Sequence, residues 1–492
     1  MKKLLILVPA ILLCLFGCYE DKGNYNYIEL PEFLVDTAGQ QTSFTVTQFN
    51  TLQAPSLLRY AGDKSKLTYT WSIYRSGSGQ STVPVDTLAT TENLDVEIRV
   101  TPGSYRLEFC AIDATTGLRA MMQYDVAVEG AVGTGLLVFY ETASGGADCD
   151  VVKSTLFDAS LTNETILRGV YSLYNPGRPL AGRPVGCALT SASSSRHIYL
   201  FTESDGVKLY TDDMTIMMDF QSMFFTAPEV CKPQGIYGGS LERFFNNGKL
   251  HTCLVTWSGS NAPRLEMEKV GADYEAAPYM LNTYGSNTLF YDNRNTRFLF
   301  STMYGGTALS FTAKGDAFAF DNVGKKMIYM ALGYGSNNYT GYCIMRNEPD
   351  DAERYIYPVD ASVSAYTSYT ALPVLDISGC TDIANATAFA FAQTGPIVFY
   401  SVGSKIHQVN YDWSTATVSG STEVWDFGGA EVITMLKRYS TSVYLVATWN
   451  ASANEGKIYA LEADIVNGRL TSEPLGSFDG FGKVKDVVYK NI

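Results

Sequence analysis

The sequence predicts an all-β protein built from two unlike parts, and three observations carry that expectation. Short runs between residues 43 and 128 alternate polar and apolar residues at period two, as strands with one wet face do. Beyond residue 131, seven apolar or aromatic strand cores recur, most of them after a short polar turn. No apolar pattern of helical period runs long enough to compete. Composition agrees: the 492 residues include 43 Gly, 33 Tyr and 25 Phe, with only 17% charged, a balance suited to turn-rich, aromatic sheets.

The chain begins with Lys2 and Lys3, followed by the apolar run Leu4 to Phe16. A spanning helix needs about twenty apolar residues, so the run fits the core of a secretory signal better. It ends Leu15-Phe16-Gly17-Cys18. This stretch is similar to the lipobox of bacterial lipoproteins, which implies a signal peptide over residues 1–17 and cleavage before Cys18. It also implies lipidation of Cys18; a signal peptide that merely contains a cysteine is the alternative. Each buried methylene contributes about 0.8 kcal/mol, and more than one acyl chain makes an anchor stable. Residues 18–27 read as an acidic tether. Glu20 and Asp21, beside the cysteine, look like a surface-export label, the alternative being a solvated linker.

Residues 28–130 read as a β-sandwich. Ser43-Phe44-Thr45-Val46-Thr47 alternates, and Leu67, Tyr69, Trp71 and Ile73 share one face of the next strand. Leu94–Val100 alternates again, and Pro102-Gly103 turns into the strand from Tyr105 to Ile112. The order Tyr69-Thr70-Trp71, then Gly103-Ser104-Tyr105-Arg106-Leu107, then Asp113-Ala114-Thr115-Thr116-Gly117 resembles the PKD/immunoglobulin-like family. Together with the lipobox and Cys18-Tyr19-Glu20-Asp21-Lys22-Gly23, it resembles the PKD-like family of surface lipoproteins. That resemblance implies a stalk above a membrane. It also implies association with TonB-dependent nutrient importers and their partner lipoproteins in Gram-negative bacteria.

Residues 131–492 read as a β-propeller of about seven blades. The recurring cores are Leu136–Tyr140, Ile198–Phe201, Leu250–Val255, Phe298–Phe300, Met327–Met330, Ile397–Tyr400 and Val443–Val446. Their mean spacing lies in the propeller range, though the gap from 298 to 327 is short and the next is long. The closest internal pair is Val255-Thr256-Trp257-Ser258 against Ala447-Thr448-Trp449-Asn450. Two further sandwiches are the competing architecture. A closed ring of sheets buries faces and edges that a single sheet leaves open.

Net charge is −14, which argues against nucleic acid, whose backbone needs clustered Lys and Arg. No zinc site is expected, because His197, His251 and His407 are scattered; no cofactor is expected either. Seven cysteines remain besides Cys14 and Cys18; they read mostly as buried core residues, with one or two disulfides open. No nucleophile elbow, phosphate loop or dinucleotide motif is present. His251 and Cys253 share a strand face, better explained by packing than by catalysis. Asp148/Asp150, Asp212/Asp213 and Asp350/Asp351 are the adjacent acids that a glycosidase would need in pairs; solvated loops are their default.

The remaining signal is aromatic loops. Tyr284, Tyr304, Tyr334, Tyr339 and Tyr342 stand among Gly, Ser and Asn, and Trp257 and Trp449 open similar stretches. Rings cover the apolar face of a sugar while amides and hydroxyls reach its rim; the same composition serves protein surfaces. The expectation is an outer-membrane lipoprotein held in lipid through Cys18. It would be a non-catalytic binding subunit for a glycan or peptide in nutrient uptake. A propeller glycosidase and an adhesin or assembly subunit are the alternatives.

Overall fold

Trp71 sits at the centre of the first of two compact units, Met1–Val128 and Glu129–Ile492. The computed structural model describes residues 32–491 apart from 78–83, 162–163, 191–195, 239–241, 254–263, 315, 349–351 and 465–468. Cys18, Glu20, Asp21 and Trp257 therefore lie outside the described residues, as do the signal, the tether and Asp350-Asp351.

In the first unit a five-stranded antiparallel sheet runs in the order Ser43–Thr47, Arg119–Glu129, Gly103–Asp113, Leu67–Arg75, Asp86–Ala89. Two small pairs, Phe33–Val35 with Leu58–Tyr60 and Thr51–Ala54 with Leu94–Glu97, close the core opposite it. Trp71 packs against Phe109 and Tyr124 at ring distances of 4.7 and 5.8 Å. Its indole N–H donates to Thr91 O at 3.1 Å, so the largest core side chain leaves no polar atom orphaned. Asp113 ends its strand by accepting from the Thr115 amide and hydroxyl, both at 2.8 Å. Gly117 then takes a φ of +74° that a side chain would resist.

The second unit is a seven-bladed β-propeller. Blade 1 combines Gly135–Glu141, Ala147–Lys153 and Thr165–Leu167 with the last strand, Lys483–Lys490, which is innermost. The ring is thus closed by joining the two ends of the unit in one sheet. Blade 2 runs from Pro184–Thr190 to Ile216–Asp219, and blade 3 contains Pro233–Tyr237, Arg243–Asn246 and Lys249–Thr252. Blades 4 to 7 begin at Ala276–Thr283, Lys326–Leu332, Ala388–Phe391 and Glu431–Arg438, and each continues outward through successive antiparallel strands.

Each pair of neighbouring blades shares one apolar cluster, seven in all among the described residues. The seven cores read from the sequence fall one to a blade, but not on equivalent strands. Those of blades 1, 2, 6 and 7 are second strands, those of blades 3 and 4 are third strands, and that of blade 5 is innermost. This shift of phase accounts for the short gap between 298 and 327 and the long one after it. It also corrects the pairing of Trp257 with Trp449: the strand before the first is a third strand, and Trp449 lies on a second strand. All seven described cysteines are free thiols.

An ionic latch holds the closing blade. Asp150 is buried, and its Oδ1 accepts from Tyr140 Oη and the Gly169 amide, both at 2.8 Å. Arg168 donates to Asp150 Oδ2 at 2.8 Å and to the Asp479 and Gly480 carbonyls of blade 7, and its guanidinium lies over Phe481. Asp148 accepts from Ser172 N, and Asp213 Oδ1 takes the Thr215 amide and hydroxyl. These acids are structural and form no open pair. His251 lies against Phe224 and Phe244, and Cys253 is buried in the same apolar cluster, where burial pushes its thiol up.

Candidate functional site

The innermost strands of a propeller have one edge without a strand partner, so their amides and carbonyls must be met by side chains or solvent. In this ring they enclose a cavity of about 660 Å³ lined from blades 1, 2, 3, 4, 5 and 7. That size lies within the range of about 300–1,000 Å³ typical of small-molecule sites.

Polar side chains in the cavity cap the strand edges. Arg438 Nη1 donates to Leu332 O at 2.9 Å and Phe391 O at 2.7 Å. Tyr237 Oη donates to Pro278 O at 2.7 Å. Lys437 Nζ donates to Val487 O at 2.8 Å and to Asp486 Oδ1 at 2.7 Å. Asp486 Oδ1 also takes the Val487 amide at 2.9 Å, and Oδ2 takes the Cys187 amide at 3.0 Å. One carboxylate thus ties together blades 1, 2 and 7. Burial pulls the Lys437 ammonium down, but the Asp486 charge, Cys187 and the hydrogen bond to Asp486 together outweigh it and the net shift is upward. Burial, then Asp486, pushes the Cys187 thiol well up, so it stays protonated and unreactive. Burial likewise lowers Arg438, with Tyr444, Tyr329 and Tyr411 opposing.

Three aromatic rings, Tyr237, Tyr279 and Tyr329, line the same space, the last two edge to face at 5.5 Å. Sequence reasoning missed this entire set. Its signal was present as the adjacent charges Lys437-Arg438 and Lys485-Asp486, each following directly on a buried apolar residue, Leu436 or Val484.

The aromatic loops named from the sequence separate into groups. Asn282 and Leu332 line the cavity, and two residues further on stand Tyr284 and Tyr334. In an antiparallel blade the first and third turns lie at one end, which places the loops of Tyr284, Tyr304, Tyr334 and Tyr339 together on blades 4 and 5. The contacts agree: Tyr284 and Tyr339 are edge to face at 5.9 Å, and Asn287 joins the Tyr284 carbonyl to the Met303 amide. Tyr284, Tyr304 and Tyr334 are 48%, 53% and 38% exposed.

Tyr342 is a correction. It is fully buried between blades 5 and 6, stacked on Phe391 at 4.9 Å, with its hydroxyl donating to Tyr334 O. It supports the platform from beneath and presents no face to a ligand. Trp449, half-buried, lies at the end of a second strand, beside the turn at the opposite end of its blade. It is not part of the tyrosine group. Among the described residues no group of three or more His, Cys, Asp or Glu side chains could hold a metal ion.

Fold and cavity define a class: a PKD/immunoglobulin-like sandwich followed in the chain by a seven-bladed propeller with a lined central cavity. The model of the PKD-like family matches residues 18–184, which takes in the sandwich and reaches the first residue of blade 2. No curated protein matches the chain. Among solved structures, a quinonprotein alcohol dehydrogenase-like protein from Bacteroides thetaiotaomicron aligns at a TM-score of 0.50 and 12% identity, over 94% of this chain and 100% of that one. The Dos1 propeller aligns at 0.41 and 9%, over 71% and 86%. Apo AztD from Citrobacter koseri aligns at 0.37 and 11%, over 87% and 100%. At these identities the likeness concerns the fold alone.

Proposed function

We propose that this is an outer-membrane lipoprotein, anchored through Cys18 and displayed on the cell surface, whose propeller is a non-catalytic binding module. It captures a glycan or peptide for a TonB-dependent importer and its partner lipoproteins. The observation that carries the binding reading is the central cavity: tyrosines and amides line it, and its one described carboxylate, Asp486, is already engaged by three donors. Hydrolysis by paired carboxylates needs a second acid about 5–9 Å from the first, and the described lining supplies none. The lipobox, the acidic residues beside Cys18 and a family match that begins at residue 18 support the anchor.

A glycan and peptide binding screen on the protein from residue 19 onward, with each hit assayed for hydrolysis, tests the module. Saturable binding without turnover is the expected result, and product release at enzymatic rates overturns it. Cys18→Ala should release the protein from the membrane fraction; retention there overturns the anchor.

A further inference from the structure

Resting on that binding reading, we infer that the ligand of the propeller cavity is an acidic oligosaccharide whose carboxylate is received by Lys485. The chain as a whole is strongly acidic, at −14, yet its cavity reverses the sign. Three cations, Lys437, Arg438 and Lys485, line it against the single carboxylate of Asp486.

Two of these cations have structural work. Arg438 caps two edge carbonyls, and Lys437 is shared between Asp486 and Val487 O. Lys437 is nonetheless 43% accessible although it belongs to an innermost strand, so its exposure is to the cavity. Lys485 is exposed and has no ion pair among the described residues. Its neighbour Asp486 forms its ion pair with Lys437 instead and takes the Val487 and Cys187 amides. An uncompensated ammonium within low-dielectric walls focuses positive potential on the cavity.

The rest of the lining suits a sugar better than a peptide strand. Strand addition needs free backbone edges, but Leu332 O, Phe391 O, Pro278 O and Val487 O are already capped by side chains. Rings and amides remain. Tyr279 and Tyr329 offer apolar faces. Asn282 adds a side-chain amide to the same wall. The strands carrying Asn282 and Leu332 run out to Tyr284 and Tyr334, so a chain longer than the cavity continues onto the tyrosine platform.

The test is calorimetric titration of the detergent-solubilised full-length protein with a galacturonic acid tetrasaccharide, its methyl ester and an acidic tetrapeptide. The free acid should bind about tenfold or more tightly than the ester, the range for a hydrogen bond to a charged group. Its affinity should also fall with added salt. Lys485→Gln should remove that preference, and Lys485→Glu should reverse it; both replace an exposed side chain. Equal affinity for acid and ester, or a preference that survives Lys485→Gln, overturns the inference while the binding reading stands. Binding of the peptide but not the acidic sugar does the same. Absence of binding by all three probes overturns the inference; failure of every glycan and peptide in the wider screen removes the binding reading itself.

Discussion

Strand Gly103–Asp113 of the sandwich buries Tyr105, Leu107, Phe109, Ala111 and Asp113 and turns the residues between them outward. Strand His197–Thr202 of the propeller is buried at every residue. Ile198 and Leu200 face the cluster shared with blade 1, while Tyr199 and Phe201 face the one shared with blade 3. The difference is the number of covered faces. A sheet with one wet side keeps a period of two, whereas a blade between two neighbours loses it and reads as an unbroken apolar run. Stability is organised accordingly: the sandwich has one core around Trp71, and the propeller distributes its apolar surface over seven interfaces that hold only while the ring stays closed.

That contrast is tested first where the effect is largest. Trp71→Ala removes the centre of a single core and should cost the sandwich about 3–5 kcal/mol. Urea unfolding should show the loss in one transition, with the propeller's melting unchanged; a shift of the whole curve would mean that the two units are not separate in stability. Gly482→Ala strikes the closure of the ring, because a methyl there meets the Glu141 carbonyl oxygen and the Tyr140 ring. It should cost the propeller about 1–3 kcal/mol, read by the same titration.

Acid separates the two units by sign. In the sandwich, the Thr115 hydroxyl and amide hold the Asp113 carboxyl well below the usual carboxylate range. Its stabilisation is therefore present above the unfolded value, about 3.9, and is lost as pH falls through the folded value. In the propeller, burial raises Asp150, and the hydrogen bonds from Gly169, Tyr140 and Arg168 do not fully offset it. Its folded form holds the proton more tightly, so its contribution is full below the unfolded value and is lost as pH rises through the folded one. Unfolding across a pH series should show Asp113→Asn flattening the acid limb of the sandwich, and Asp150→Asn flattening the opposite slope of the propeller. The smallest expected effect is on the platform: Tyr284→Ala should change stability by no more than about 0.5 kcal/mol while weakening ligand binding. A large loss of stability would make Tyr284 a packing residue like Tyr342.

The sandwich was legible because its half-buried strands alternate and its turns carry Pro102-Gly103 and Asp113-Thr115-Gly117. Blade number was legible too, since every blade must supply at least one strand buried on both faces. Blade phase was not, because the most apolar strand of a blade is whichever is best enclosed, and that differs from blade 4 to blade 5. Tyr334 and Tyr342 look alike in the sequence, in a run rich in Gly and Asn. Only the approach of Phe391 and Tyr411 from blade 6 makes one a core residue and leaves the other exposed.

By itself the sequence determined the all-β class, the two kinds of sheet and the candidate address at Cys18, because strand periodicity and an N-terminal apolar run are local properties. The cavity was decided by tertiary structure alone. Lys485 and Asp486 reach it together with Cys187, some three hundred residues away in sequence, only because the last strand returns to complete the first blade and turns six strand edges toward one another.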